Sequence, residues 1–254
     1  MPDAMQTYVI NLDRSPERMA FVERRFGDLG LGFTRITATD GNLLSSADLK
    51  TFADQRPRDG KRGWRPGQIG CLMSHLEVWR HVAAAEQPYG LVAEDDVHLS
   101  DALPAFAATS EWIPPDAEII RLETTGQWLS LGSVARKFQG RTVRRVRSAA
   151  WATGAYVIHR DAAARLLSIN LALHGPVDEF LFNLGSSSVA RSLVTYQLTP
   201  ALAIQDKFND NGAAPKGFGS DIETETLNGR LRGLAALRRT ITSTLRGKSR
   251  IEFR

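Results

Sequence analysis

The chain has 254 residues, 43% of them hydrophobic and 24% charged, which excludes a disordered or fibrous protein and matches an ordinary globular one. A single cysteine, Cys71, rules out an internal disulfide or a multi-cysteine zinc site, and neither a leader-like start nor a run of 18 apolar residues appears, so a cytoplasmic location is expected. The net charge of +4 is uneven: Gly229 to Arg254 holds eight Lys or Arg against Glu252 alone, a charge of +7 that leaves the remaining chain at −3.

Apolar runs alternate with helical periodicity, the pattern of an α/β fold. Met5 to Leu12 reads as a buried strand. Pro16 opens a helix with Ser15 as N-cap, and Met19, Val22 and Phe26 line one face of it. Phe33 to Ala38 is a second strand, followed by a turn at Asp40 and Gly41. The stretch QRPRDGKRGWRPGQIG, Gln55 to Gly70, reads as a long exposed loop carrying Arg56, Arg58, Lys61, Arg62 and Arg65. A helix runs from Gln68 to about Ala85, Pro88 stops it, and Tyr89 to Ala93 form a central strand. Further strands are expected at Glu118–Leu122, Ala155–His159 and Leu193–Leu198, with a basic edge strand at Arg141–Arg147. Helices are expected at Asp161–Ser168 and Pro176–Leu184. The only boundary in view precedes the tail, which divides the chain into a domain over 1–228 and a basic segment over 229–254. In that segment Leu231, Leu234, Ile241 and Leu245 share one helical face flanked by arginines, which suits either peripheral contact with an anionic membrane or docking on the domain itself.

The central strand runs into three acids, Glu94, Asp95 and Asp96. In extended backbone, residues two apart point to one side, so Glu94 and Asp96 face together while Asp95 points away. Ligands of open α/β sheets sit beyond such strand ends. Two hard oxygen donors there suit Mn²⁺ or Mg²⁺ shared with substrate phosphates, and a cation between them would relieve their repulsion. Arg14 and Arg18, four apart on one helix face, suit phosphate or a uracil edge, or else form a solvated basic face.

Several stretches resemble glycosyltransferase family 25, the lipopolysaccharide-type sugar transferases related to collagen galactosyltransferases. They are YVINLDRSPERM (Asn11, Leu12, Asp13, Arg14, Arg18), PGQIGCLMSHLEVW (Gly67, Gly70, Cys71, Ser74, His75, Trp79), the acid triplet, TGAYVIHRDAAARLL with GPVDEFL, and more weakly PALAIQ with SDIE (Pro200, Gln205, Ser220, Asp221, Ile222). They occur in the expected order from Tyr8 to Glu223. The resemblance implies a GT-A-type nucleotide-sugar-binding fold with a mostly parallel central sheet flanked by helices, and a UDP-sugar donor. It makes the triplet the counterpart of the DxD motif, with Asp96 on the metal and Glu94 on the ribose or a metal-bound water. It also implies donor contacts from Asn11, Asp13, Ser74, His75, Asp95 and Gln205. Gln68 departs from the pattern, which commonly has Glu there.

The resemblance points to an inverting transfer, which needs a base for the acceptor hydroxyl, and Asp178 or the adjacent Glu179 fits, although a carboxylate in the first turn of a helix also serves as a cap. His75 is either a half-buried hydrogen-bonded histidine or a donor-site residue. Cys71 reads as a small buried apolar residue. Phe208 to Asp221, FNDNGAAPKGFGSD, reads as a lid over the donor. The activity that the resemblance implies is transfer of a hexose, galactose from UDP-galactose foremost and UDP-glucose as rival, to a lipo-oligosaccharide or related glycan. The competing readings are a basic nucleic-acid-binding protein, weakened by the net-acidic body, and a metal-dependent phosphohydrolase, which would want more carboxylates.

Overall fold

The computed structural model describes residues 4–55, 65–170, 175–209 and 247–254. In chain order the elements are β1 (Gln6–Asn11), α1 (Pro16–Asp28), β2 (Thr34–Thr37), α2 (Ser46–Gln55), α3 (Pro66–Ala84), β3 (Tyr89–Glu94), β4 (Val97–Leu99), α4 (Leu103–Ala107), β5 (Ile119–Arg121), β6 (Glu123–Thr124), β7 (Trp128–Phe138), β8 (Arg141–Val146), β9 (Ala155–His159), α5 (Arg160–Leu167), α6 (Val177–Phe182), α7 (Ser188–Ser192), β10 (Thr195–Thr199), β11 (Ala203–Gln205) and β12 (Lys248–Arg250). A short 3-10 turn at Gly41–Leu43 precedes α2.

Nine strands form one sheet in the order β12-β7-β8-β10-β5-β9-β3-β1-β2, and β4, β11 and β6 form a small second sheet. The alternating side chains of the central strands supply two apolar layers. Tyr8, Ile10, Val92, Ile119, Tyr156 and Ile158 pack with Leu72, Val78, Trp79 and Val82 of α3, Leu166 of α5 and Phe180 of α6. Val9, Leu91, Ala93, Ile120, Val157 and Leu198 pack on the other side with Val22 and Phe26 of α1 and with Phe106 of α4. Burial on both faces is why β1, β3 and β9 read as unbroken apolar runs.

The sheet is mixed, not mostly parallel. Three of its eight pairings are parallel, β1–β2, β1–β3 and β5–β10, and the others are antiparallel. The basic strand is not an edge either, because β8 lies between β7 and β10. Gln139 and Gly140, both at positive φ (45° and 72°), make the two-residue turn that folds β7 back on β8, as a primed hairpin turn requires. The arginines of β8 are absorbed locally: Arg144 Nε donates to the Gly132 carbonyl at 2.8 Å and the Arg145 guanidinium lies 5.7 Å from the Tyr196 ring.

Ser15 occupies the N-cap of α1 but makes no side-chain cap hydrogen bond; Pro16 at the first turn begins the helix. Helix α3 starts at Pro66, two residues before its expected start. Gln68 Oε1 accepts from the Arg65 amide at 3.1 Å, so the amide that departs from the family pattern serves as a capping-box partner. The beginning of α3 crosses the 3-10 turn so closely that a Cβ on Gly70 would lie 2.4 Å from the Thr39 carbonyl oxygen and 2.7 Å from the Gly41 nitrogen. Only glycine allows that approach, and it fixes the turn against the helix.

The arginines at 56–62, most of the expected lid and the apolar face of the tail fall outside the described residues. The end of the tail, however, belongs to the body: Lys248–Arg250 pair with Trp128–Ser130, and Ile251 is buried in the core. Among the described residues no helix is long and apolar enough to cross a membrane.

Candidate active site

Parallel pairing of β1 with β3 sets Ile10 beside Glu94, so the end of β1 and the acid triplet share one rim of the sheet. The chain turns through Asp95 and Asp96 into β4. Antiparallel pairing of β4 with β11 sets Gln205 opposite Val97, which delivers Gln205 to the same place from more than a hundred residues away.

The three carboxylates have three different surroundings. Glu94 Oε1 accepts from Thr153 Oγ1 at 2.8 Å and from His75 Nε2 at 3.2 Å, and Oε2 accepts from Gln205 Nε2 at 3.1 Å. The histidine is oriented from behind. Trp79 Nε1, which only donates, reaches the Tyr156 hydroxyl at 2.9 Å, and that hydroxyl lies 2.8 Å from His75 Nδ1; a neutral imidazole that accepts the hydroxyl's proton there carries its own on Nε2, toward Glu94. Burial alone raises the Glu94 carboxyl, but His75, the Thr153 hydroxyl and the charge of Lys207 outweigh it and hold the group below its ordinary range.

Asp95 turns toward β1 and α1. Its Oδ2 accepts from Asn11 Nδ2 at 2.7 Å and its Oδ1 from an Arg18 terminal nitrogen at 3.1 Å. Burial nevertheless keeps its carboxyl above the usual value. Asp96 has weaker support, a 3.4 Å contact from Gln205 Nε2, while its main-chain carbonyl accepts from the Asp206 amide at 2.8 Å. Burial first, then the neighbouring charges of Glu94 and Asp95, push its carboxyl up to about 7.

This arrangement fits a divalent cation. Negative potential accumulates at Asp96, and Gln205 Oε1 is a buried oxygen with no hydrogen-bond partner among the described residues. Glu94, Asp96 and that oxygen are hard donors of the type Mn²⁺ and Mg²⁺ take. One ligand atom each from Cys71, His75 and Glu94 also lie within 4.8 Å of one another. The thiol is pushed well above its ordinary range by burial and by the charges of Glu94, Asp178 and Asp96, so Cys71 is a partly buried, protonated side chain on the cleft wall and not the fully buried one expected.

Two clefts adjoin this cluster. The first is lined by Arg14, Arg18, Thr39, Asp40, Ser74, His75 and the acid triplet; the second by Gln68, Thr125, Gln127, Trp151, Asp178, Glu179 and Phe208. Cys71, Glu94, Gln205 and Lys207 line both and form the wall where they meet. Arg14 in the first cleft is ion-paired with Asp40 at 2.6 Å.

The structure thus brings Arg14, Arg18, Ser74, His75, Glu94, Asp95, Asp96 and Gln205 to one cleft, and Asp178 with Glu179 to its neighbour. Ser74 is held inside its own surroundings, its Oγ donating to the Gly70 carbonyl at 2.7 Å and accepting from the Thr39 amide at 2.9 Å. Asn11 is buried against Asp95 and Arg35 and serves the framework. Asp13 does not reach the first cleft; its side chain is 70% exposed and pairs with Arg35. Asp178 accepts from the amides of Ala152 (3.3 Å) and Glu179 (2.9 Å), the latter a first-turn amide of α6 with no partner inside the helix, so the side chain serves the helix start as well as lining the cleft.

Sequence reasoning missed Lys207, Thr153, Tyr156, Trp151 and the buried pair Arg121 and Glu123. Glu123 Oε1 accepts from the Gly154 amide at 2.9 Å, and its Oε2 has no hydrogen-bond partner among the described residues. Burial foremost, opposed by Arg121 and reinforced by Glu94 and Asp96, raises its carboxyl to about 8. The one available signal was position: Thr153 and Tyr156 are the first and last residues of the TGAY stretch of the recognised pattern.

Residues 4–181 match the model of glycosyltransferase family 25 (LPS biosynthesis protein). The chain is 32% identical over 235 residues to the lacto-N-neotetraose biosynthesis glycosyltransferase LgtB of Neisseria meningitidis serogroup A, covering 86% of this chain and 81% of that protein. It is 26% identical over 213 residues to the lipooligosaccharide biosynthesis protein lic2B of Haemophilus influenzae, covering 78% and 75%. Among solved structures it is similar, at 13% identity and a TM-score of 0.39, to a glycosyltransferase involved in the glycosylation of the major capsid of PBCV-1, over 79% of this chain and 94% of that one. Matched by the family model over most of its length, the chain belongs to glycosyltransferase family 25.

Proposed function

We propose that the chain transfers a hexose, galactose from UDP-galactose foremost, to a hydroxyl of a lipo-oligosaccharide or related glycan, with inversion at the sugar carbon. The observation that carries this reading is the meeting of two clefts at Glu94, Gln205 and Lys207, one rich in cations and carboxylates, the other bearing two further carboxylates. The names of the relatives support the glycan acceptor.

Glu94 and Asp96, with Gln205 Oε1, would hold Mn²⁺ or Mg²⁺, which supplies charge neutralisation to the departing nucleoside diphosphate. Arg14, just before α1, and Arg18 in its first turn orient the diphosphate or base edge, and Lys207 adds a positive charge at the junction. Across that junction Asp178, or Glu179 beside it, takes the proton from the acceptor hydroxyl as it attacks. The basic segment before β12 gives peripheral contact with the inner face of the cytoplasmic membrane.

The test is a thermal-unfolding titration with a panel of UDP-sugars, with and without Mn²⁺. A donor present at about 100 times its dissociation constant stabilises by roughly 2.7 kcal/mol. Asp96→Asn is expected to abolish the metal-dependent part, and a variant that responds like the parent removes Asp96 from the site.

A further inference from the structure

Trp151 stands out in the second cleft. It is 47% exposed, among very few large apolar side chains left open to solvent in the described residues, and it lines the cleft that carries Asp178 and Glu179. It is also held with unusual firmness for a connecting segment. The guanidinium of Arg121, itself 1% exposed, donates to the Trp151 carbonyl at 2.6 Å and to the Ala152 carbonyl at 3.1 Å. The Ala152 amide donates to Asp178 Oδ2 at 3.3 Å, the Ala150 amide to the Phe182 carbonyl at 3.0 Å, and the Thr153 hydroxyl to Glu94. Ala152 is forced to a φ of 72°, a conformation that residues with a side chain rarely adopt.

A buried arginine and a left-handed alanine that keep an indole facing solvent are features of a built site, because local strain persists only where its surroundings over-determine it. The indole does not line the cleft of Arg14, Arg18 and Asp40, so it is not placed to stack on a donor base. What it offers, beside two carboxylates, is a flat negative π face able to receive the polarised C–H groups of a ring whose edge hydroxyls point at those carboxylates.

We infer that Trp151 is the platform on which a pyranose ring of the acceptor glycan stacks, setting one of its hydroxyls toward Asp178 and Glu179. The inference rests on the transferase reading above and adds the acceptor subsite to it. Arg121 acts as a positioning residue for the platform, and Asp178 both anchors the turn and faces the hydroxyl.

The experiment uses the full chain, Trp151→Ala and Trp151→Phe, with methyl β-glucopyranoside, methyl β-galactopyranoside and methyl N-acetyl-β-glucosaminide as probes. Saturation-transfer NMR reads binding without turnover. The parent is expected to transfer saturation to the ring C–H protons of at least one glycoside, Trp151→Phe to retain the signal and Trp151→Ala to lose it. In kinetic assays the acceptor KM is expected to rise roughly tenfold in Trp151→Ala, with the donor KM and the acceptor-free release of UDP unchanged. A parent that binds none of the three glycosides overturns the inference, as does an alanine variant with the parent's NMR signal or a donor KM that rises with the acceptor KM. Failure of the transferase reading looks different: glycosides still bind through Trp151, but no UDP-sugar is bound or turned over.

Discussion

Replacing Tyr156 with phenylalanine isolates the relay behind Glu94, because it removes one oxygen and keeps the ring. Tyr156 is fully buried on β9, opposite Val92 of the strand that ends in Glu94. Burial pushes its phenol well above the ordinary tyrosine range, so it stays a donor to His75 while accepting from Trp79. Without the hydroxyl, Trp79 Nε1 and His75 Nδ1 are each left in an apolar interior with one partner fewer, at about 1–3 kcal/mol apiece. The loss of the hydroxyl's own burial cost offsets part of this, so the net expectation is about 3 kcal/mol. In a chain of this size that lowers the melting temperature by roughly 6–12 °C. The imidazole also loses the bond that fixes its proton on Nε2, and the other tautomer would turn a bare nitrogen toward Glu94 Oε1, so donor affinity falls as well. Urea unfolding of the parent, Tyr156→Phe, Trp79→Phe and the double variant measures the effect. In the Trp79→Phe background one stranded donor is already gone, so Tyr156→Phe is expected to cost at least about 1 kcal/mol less there. A Tyr156→Phe variant within about 0.5 kcal/mol of the parent in both backgrounds would refute the relay.

Gly70→Ala gains about 1 kcal/mol of helix propensity, but its Cβ meets two backbone atoms that cannot swing aside, and overpacking of about 1–3 kcal/mol is expected to win, seen as a lower melting temperature. Glu123, raised from 4.5 to about 8, keeps its proton in the folded chain at pH values where the unfolded chain releases it, so it makes stability fall as pH rises through that window. Glu123→Gln retains the acceptor for the Gly154 amide and is expected to remove a slope of up to about 1.4 kcal/mol per pH unit, read from urea midpoints at two pH values inside the window; an unchanged slope would count against it. Asp178→Asn keeps an oxygen for the Ala152 amide but no base, so kcat is expected to drop by about 10²–10⁴ with donor affinity unchanged, and a parent-like kcat shifts the role to Glu179.

What the sequence disclosed depended on how local each determinant is. Strands β1, β3 and β9 were legible because burial on both faces leaves no polar interruption, and α3 because its apolar positions recur at helical spacing. Helix α2 went unread, although Ser45 and Asp48 form a reciprocal cap, with Ser45 Oγ to Asp48 Oδ2 at 2.6 Å and the Asp48 amide to Ser45 Oγ at 3.1 Å. Strand β7 hid because its far half is exposed and carries Arg136 and Lys137, and its turn is Gln-Gly where Asn-Gly would have been conspicuous. Three arginines in β8 suggested an edge, but long side chains reach carbonyls and ring faces from an interior strand. Asp13 illustrates the opposite error: it lies in a matched stretch, yet the first residues past β1 point it at Arg35 instead of the cleft.

The acid triplet shows why adjacency in sequence says little about chemistry. Asp95 is tied down by Asn11 and Arg18, neighbours of its own strand and of the first helix, and so holds β1, α1 and β3 together at the rim. Glu94 is kept ionised by donors from α3, from β11 and from the segment before β9, none within 18 residues of it in the chain. Asp96 receives the least help and carries the raised carboxyl. Three repelling charges are therefore tolerated because the fold supports two of them with fixed hydrogen-bond and ion-pair partners and leaves the third poised for a cation. A protein meant only to be stable would gain from removing Asp96, since an acid held near 7 opposes folding at neutral pH. Its retention in the first cleft makes sense if the missing counter-charge arrives with substrate, when binding converts an unfavourable buried group into an attractive one.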